Sequence, residues 1–164
     1  MDKELEKSFL DQLYESQTLL HKICSLYTNN DDAHKELFQE ITVQLWRAYP
    51  SFKGDSKFST WAYRVGLNTA MALHRKTAKS YAVSFDTDKH IVRDEDYNYE
   101  VEEYIKLLYR AIHEKLNDVE KALVFMYLEE KEYEEIAETL GITEGNARLR
   151  LMRVKDKLKK ILNP

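Results

Sequence analysis

Residues 133–160 read YEEIAETLGITEGNARLRLMRVKDKLKK, and this stretch decides the fold of the C-terminal part of the chain. Ile136 and Leu140 lie on the apolar face of a predicted short amphipathic helix. Gly141 predicts the left-handed residue that ends this helix, and Thr143 predicts the N-cap of a second one. Two helices joined by a tight turn form a helix-turn-helix, whose second helix lies in the major groove of DNA. The stretch therefore predicts DNA contact.

The second helix of this stretch separates apolar from basic residues. Intervals of three and four define an apolar stripe of Ala147, Leu151, Val154, Leu158 and Ile161. The same intervals define a polar and basic row of Asn146, Arg150, Arg153, Lys157 and Lys160. Residues 142–164 hold seven lysines and arginines against two carboxylates, a net charge of +5. A basic helix alone is ordinarily a solvated surface, but the short helix and glycine turn before it favour DNA binding.

Composition limits the fold class and the function. The 164 residues are 43% hydrophobic and 33% charged, with four glycines and two prolines, which favours helices with short connections. Cys24 is the single cysteine, which excludes a disulfide framework and predicts a buried structural thiol in a reducing compartment. No signal core or membrane-length apolar stretch appears, so a cytoplasmic protein without membrane insertion is predicted. No catalytic triad, phosphate-binding loop or metal-ligand pattern appears, which predicts a non-enzyme without metal or cofactor.

Charge is distributed unevenly along the chain. The net charge of −4 is unusual for a DNA-binding protein. Residues 51–80, however, hold six basic residues against one aspartate, and residues 81–105 hold eight acidic residues against two basic ones. The two blocks carry +5 and −6 and are followed by the basic C-terminal tail. This pattern predicts two nucleic-acid-binding segments separated by an acidic one.

Helical periodicity predicts an all-α protein of two small domains. Residues 5–28 predict a helix or helix pair. Residues 32–49 predict a further helix, which is capped by Asp31 or Asp32 and ended by Pro50. A helix from residue 61 to about 79 is predicted to be capped by Ser59 or Thr60. Residues 80–100 lack periodicity. The predicted organisation is an N-terminal helical domain over 1–80, a flexible acidic linker over 81–100 and a helix-turn-helix domain over 101–164.

A second informative segment, residues 52–76, reads FKGDSKFSTWAYRVGLNTAMALHRK. Helical spacing places on one face Trp61, Arg64, Asn68, Met71 and Arg75. The loop before this helix adds Phe52, Lys53, Lys57 and Phe58. Aromatic side chains stack on bases while lysine and arginine follow phosphates, so this combination is typical of single-stranded nucleic-acid binding. Taken in isolation, Phe58 is better explained as a core residue, whereas core and surface positions are equally open for Trp61.

Residues 52–64, FKGDSKFSTWAYR, closely resemble the F-[RK]-G-[ED]-S-x-F-x-T-W-L-Y-[RK] stretch of bacterial sigma-70 family factors, in particular the small extracytoplasmic-function group. Asp32-Ala33, ELFQE at 36–40 and Leu45-Trp46 resemble the rest of region 2 of that family. The helix-turn-helix from Tyr133 to Met152 is similar to its region 4. The three matches follow the family's order and span most of residues 32–160.

The resemblance implies a promoter-recognition subunit of RNA polymerase. The clamp helices of the largest polymerase subunit would be contacted by Glu36, Leu37, Gln39, Glu40 and Gln44. The −10 promoter element would be bound and melted by Lys53, Lys57, Phe58, Trp61, Arg64, Asn68 and Arg75. The duplex −35 element would be bound by Thr143, Asn146, Arg148, Arg150, Arg153 and Lys155. An anti-sigma protein is a further implied partner.

The chain departs from the family pattern at identifiable positions. The family usually has Gly-Thr-Val-Lys-Ser-Arg where residues 145–150 read GNARLR, so Asn146 and Leu149 differ. Asparagine pairs with adenine and arginine with guanine, which predicts an altered −35 sequence. His34 and Lys35 replace an acidic pair common before Leu37, which affects the expected docking on polymerase.

Two other functions fit parts of the sequence. A stand-alone helix-turn-helix regulator would use residues 1–100 as a ligand-sensing or dimerisation domain. That function accounts for the C-terminal half but leaves the aromatic and basic face of residues 52–75 unexplained. A helical interaction protein, such as an inhibitor that mimics a sigma domain, is the third possibility.

Overall fold

The computed structural model describes residues 3–77 and 98–164, and these residues form α-helices and one 3₁₀ turn, without a strand. The helices are α1 Lys3–Glu15, α2 Gln17–Tyr27, α3 Asp31–Ala48, α4 Phe58–Thr77, α5 Tyr99–Lys115, α6 Asp118–Leu128, α7 Tyr133–Leu140 and α8 Glu144–Leu162; the 3₁₀ turn is Tyr49–Ser51. The all-α prediction is confirmed. Within the described ranges, no helix is both long and apolar enough to cross a membrane.

The chain divides into two compact units, Met1–Ala82 and Val83–Pro164. Of the predicted linker over 81–100, all but the last three residues lie outside the described residues. Helix α5 already begins at Tyr99, where Asn98 caps it by accepting the backbone N–H of Glu100 at 3.0 Å.

In the N-terminal unit, α4 packs against both α2 and α3. These helices bury a shared apolar core of Leu20, Ile23, Cys24, Leu37, Ile41, Leu45, Ala62, Tyr63, Leu67 and Ala70. Gly66 lies where α4 comes closest to its neighbours, because a Cβ there would meet Ile23 Cδ1 at 3.2 Å. Glycine inside a helix costs about 1 kcal/mol relative to alanine. The close helix contact explains why glycine occupies this position.

The N-terminal unit is held at one end by Tyr49, a buried residue of the 3₁₀ turn. Its hydroxyl accepts a hydrogen bond from Gln12 Nε2 at 2.9 Å and lies 3.1 Å from Ser8 Oγ. The Phe9 ring packs edge-on against the Tyr49 ring, with 5.1 Å between centroids. These contacts attach α1 to the end of α3.

Most predicted helices of this unit are present, but two caps differ. Residues 5–28 form the helix pair α1 and α2, and α3 ends before Pro50, as predicted. The cap of α3 is Asn30, whose Oδ1 accepts the Ala33 N–H at 2.8 Å, and not Asp31 or Asp32. Helix α4 begins at Phe58, so the prediction that Ser59 or Thr60 caps it is wrong. Both residues lie inside the first turn.

In the C-terminal unit, α8 packs against α5, α6 and α7. Four members of its apolar stripe are buried, as predicted, but Ile161 in the last turn is 37% exposed. Glu120 joins two helices. Its carboxylate accepts the Asn117 N–H at 3.0 Å in the capping box of α6, and it also pairs with Lys157 Nζ of α8 at 3.3 Å.

The connections within the helix-turn-helix have the predicted geometry. Gly141 adopts φ +69°, the left-handed conformation, and ends α7. Its own N–H and that of Ile142 both reach the Ala137 carbonyl, so a terminal carbonyl of α7 is satisfied. Thr143 then begins α8 as its N-cap.

Cys24 is expected to resist alkylation in the folded protein. Burial raises the pKa of its thiol from the ordinary 9.0 to about 12. At a given pH below 9 the native thiolate is about a thousandfold scarcer than in the unfolded chain. Iodoacetamide labelling at pH 8, followed by mass spectrometry, should therefore be much slower in buffer than in urea. Similar rates in the two conditions would contradict the assignment of Cys24 to the core.

Candidate nucleic-acid interface

Six aromatic rings form one continuous cluster in the N-terminal unit: Phe9, Trp46, Tyr49, Phe52, Phe58 and Trp61. The rings belong to α1, α3, the 3₁₀ turn, the following loop and α4. The Phe52 and Trp61 centroids lie 5.0 Å apart, and Phe58 is 5.5 Å from Trp61. The cluster therefore joins the loop before α4 to the rest of the unit.

The rings of this cluster differ in exposure, so some are core residues and others lie at the surface. Phe58 is only 8% exposed and packs edge-on against Phe9 and Phe52, so its predicted contact with a base is corrected to a core position. Trp61 and Phe52 are half-buried. Trp61, a predicted −10 residue, and Phe52 of the preceding loop are therefore the rings of this segment that reach solvent.

The predicted polar members of this surface are largely accessible. Lys53 and Lys57 are exposed on the loop, where Gly54 at φ +75° makes the turn. Arg64 is half-buried, while Asn68 and Arg75 are exposed on α4. Met71 was placed on the same face by its spacing. It is buried instead.

The predicted polymerase-binding face on α3 is partly exposed. Glu36 and Gln39 are exposed, whereas Glu40 and Gln44 are half-buried and joined by a hydrogen bond from Gln44 Nε2 to Glu40 Oε1 at 3.0 Å. Leu37 is 2% exposed in the core, so a direct contact by its side chain is corrected to a supporting position. An exposed apolar residue that the sequence reasoning missed, Val43, lies two helical turns after Glu36.

Next to this face, His21 of α2 and His34 of α3 are hydrogen-bonded, with 2.8 Å between His21 Nδ1 and His34 Nε2. The Phe38 ring stacks on His21 at 4.4 Å between centroids. His34, one of the two departures from the family pattern before Leu37, therefore links α3 to α2.

In the C-terminal unit, Thr143 has a structural role at the start of α8. Its Oγ1 accepts the backbone N–H of Asn146 at 3.1 Å. This bond satisfies one of the free N–H groups of the first turn. The hydroxyl assigned above to −35 contact is therefore also the N-cap of the predicted recognition helix.

Two cations of α8 are positioned by aromatic rings. The Arg148 guanidinium carbon lies 4.8 Å from the Tyr133 ring centroid of α7, and Lys155 Nζ lies 3.7 Å from that of Tyr127 in α6. Cation–π contacts of this kind orient a side chain and contribute roughly 0.5–1 kcal/mol when exposed. Neither aromatic was among the predicted site residues.

Arg150 and Arg153 project from α8 on the other side and are exposed, and Asn146 is half-buried. Lys157, further along the same row, pairs with Glu120 of α6. Lys160, the last member of the row, is exposed.

Each of the two units contains a segment that matches a known protein family. Residues 13–80 match the model of sigma-70 region 2, and residues 106–158 match that of sigma-70 region 4. The ECF RNA polymerase sigma-E factor of Escherichia coli K12 is 29% identical over 159 residues, covering 88% of this chain and 82% of that protein. The chain belongs to the extracytoplasmic-function group of the sigma-70 family. The RNA polymerase sigma-H factor of Pseudomonas aeruginosa is 27% identical over 158 residues, with the same coverages.

Two solved structures share the fold of this chain. The sigma factor RpoE of Bartonella quintana, solved with the anti-sigma factor NepR, has a TM-score of 0.72 and 18% identity, covering 95% of this chain and 97% of its own. CnrH, solved with the cytosolic domain of CnrY, has a TM-score of 0.67 and 19% identity, covering 96% and 89%.

Replacing Phe58 by alanine is expected to destabilise the N-terminal unit by about 3–5 kcal/mol, because the ring fills the centre of the aromatic cluster. Urea unfolding followed by tryptophan fluorescence measures this unit selectively, since both tryptophans, Trp46 and Trp61, belong to it. The Phe52→Ala variant, which removes a half-buried ring, should lose clearly less free energy of unfolding. A Phe58→Ala loss below about 1 kcal/mol would place the ring outside the core.

Replacing Thr143 by alanine is expected to loosen the first turn of α8 by about 1 kcal/mol, the usual contribution of an N-cap hydroxyl. Hydrogen exchange of the amides at 145–148 measures this opening directly. Thr143→Ser retains the hydroxyl and should exchange like the unmodified protein. Unchanged exchange in the alanine variant would show that the cap contributes little.

Proposed function

We propose that the protein is a promoter-specificity subunit of bacterial RNA polymerase, which binds the core enzyme and directs initiation at promoters with −10 and −35 elements. One observation supports this most strongly. A single chain combines an aromatic and cationic surface suited to single strands with a helix-turn-helix suited to duplex DNA, and each lies in a segment that matches the sigma-70 region with that role. Bond-forming chemistry belongs to the core polymerase.

The N-terminal unit is proposed to bind both polymerase and the −10 element. The exposed Glu36 and Gln39 on α3 are suited to a basic or polar surface such as the clamp helices of the largest subunit. On α4 and its preceding loop, Trp61 and Phe52 offer ring faces for bases, while Lys53, Lys57 and Arg75 follow the phosphates. Each stacked base contributes about 1–3 kcal/mol, which favours a separated strand over the duplex.

The C-terminal unit is proposed to bind the −35 element with α8 in the major groove. The exposed Arg150 and Arg153 and the ring-supported Arg148 lie in the half of the helix that enters the groove. Arginine pairs bidentately with guanine, and Asn146 is placed to pair with adenine. The Thr143 cap fixes the first turn, so these side chains are presented from an ordered helix.

Two weak contacts on one chain are proposed to act together. Once one element is bound, the second contact becomes intramolecular, and the overall affinity rises without any single strong site. The net charge of −4 opposes approach of the free protein to DNA. Promoter opening should therefore require core polymerase.

An anti-sigma protein is a proposed regulatory partner. The solved structure of RpoE, which shares this fold, contains the anti-sigma factor NepR. A cytoplasmic location follows from the proposed work with polymerase. The alternative of a stand-alone regulator is not favoured, because residues 13–80 match sigma-70 region 2.

Run-off transcription with purified core polymerase tests the proposal. Core plus this chain should give discrete transcripts from promoters selected out of a random template library, whereas either component alone should not. A stand-alone regulator or a sigma mimic would give none. Absence of any transcript that depends on the chain would refute the proposed function.

Two variants separate the two DNA contacts. Arg150→Ala should weaken binding to −35-dependent promoters by about tenfold or more if it pairs with a base, whereas Arg110→Ala on α5 makes the same charge change outside the site. Trp61→Ala should retain duplex binding but slow strand opening, measured by permanganate reactivity of the −10 thymines. Equal effects of the Arg150 and Arg110 changes would contradict the −35 assignment.

A further inference from the structure

The outward side of α8 carries an apolar strip between its basic residues. The strip consists of Gly145, Leu149 and Met152, which follow each other at intervals of four and three and therefore share one face. Leu149 is 41% exposed and Met152 is 54% exposed. This face lies opposite the buried residues Ala147, Leu151 and Val154.

Contacts among residues 98–164 do not explain the apolar strip. A Cβ built on Gly145 would meet no described atom within 4 Å, so packing among these residues does not require glycine there. Glycine inside a helix costs about 1 kcal/mol relative to alanine. Leu149 and Met152 are large apolar side chains that remain exposed on the same polar helix.

Cations border the apolar strip on both sides. Arg148 and Lys155 lie along one edge, held by the rings of Tyr133 and Tyr127, and Arg150 and Arg153 lie toward the other. A helix with this arrangement fits a groove whose two walls are phosphates and whose floor has apolar groups. The C5-methyl of thymine is the apolar group that base pairs present in the major groove.

We propose that Leu149 and Met152 read thymine methyl groups within the −35 element, with Gly145 allowing close approach of the first turn. This assignment rests on the proposed function and names the bases that this helix selects. The strip spans eight residues, about 10 Å of helix, which corresponds to roughly three base pairs. Leu149 and Met152 are one turn apart, so they contact neighbouring thymines. Asp156 continues the same face and ends the apolar surface.

The test begins with the holoenzyme formed from core polymerase and the full chain. Duplexes selected from a library randomised over the −35 region should be enriched in thymine at one or two neighbouring positions. Each selected thymine is then replaced by deoxyuridine, which removes only the C5-methyl. We expect about fourfold weaker binding for each methyl that is buried.

The Leu149→Ala holoenzyme should bind duplexes with thymine and with deoxyuridine equally at the base pair that Leu149 contacts. The Met152→Ala holoenzyme should lose the same discrimination at the neighbouring base pair. Both residues are exposed, so neither change should unfold the protein. Leu107→Ala, which alters a similarly exposed leucine on α5, should retain the full discrimination. The salt dependence of binding should remain unchanged in both strip variants, because phosphate contacts remain.

Failure of this assignment is distinguishable from failure of the proposed function. The thymine assignment is overturned if the holoenzyme transcribes selected promoters but deoxyuridine does not weaken its binding. It is also overturned if deoxyuridine weakens binding as much in both strip variants as in the unmodified holoenzyme. Either result would indicate that the strip contacts a protein partner instead. If core plus this chain gives no transcript, the proposed function fails and the assignment fails with it.

Discussion

Amphipathic helices with only one apolar face constrain this structure more than any other feature. Helix α8 buries Ala147, Leu151, Val154 and Leu158 against three neighbouring helices. Successive residues of a helix are separated by 100°, so burial of this stripe determines the direction of every other side chain on α8. The cations named above therefore flank the face of α8 that is opposite the buried stripe. This outward face is the one that a binding partner of the helix would contact.

The N-terminal unit uses one aromatic cluster both for stability and for the candidate surface. The buried rings of Phe9, Tyr49 and Phe58 hold α1, the 3₁₀ turn and α4 together. The half-buried rings of Phe52 and Trp61 belong to the same cluster but reach solvent. A ring supported from behind loses little conformational entropy when a base stacks on it, which is why a rigid aromatic surface suits strand capture.

In the C-terminal unit, too, residues that stabilise the fold also position side chains of the candidate surface. Glu120 caps α6 and also binds Lys157, while Tyr133 and Tyr127 orient Arg148 and Lys155. Neighbouring helices thus decide which cations of α8 are directed and which are already paired within the protein. Net charge alone does not describe this surface, because a cation that contacts its own unit is less available to a phosphate.

The sequence by itself determined the features that depend on neighbouring residues in the chain. The Gly141 turn, the Thr143 cap and the buried stripe of α8 follow from local conformation and helical period, and all three were predicted. Only the tertiary structure buried Met71, started α4 at Phe58 and exposed Ile161. Periodicity defines a face of a helix, but burial depends on which distant helix covers that face, and this information lies in contacts between residues far apart in sequence.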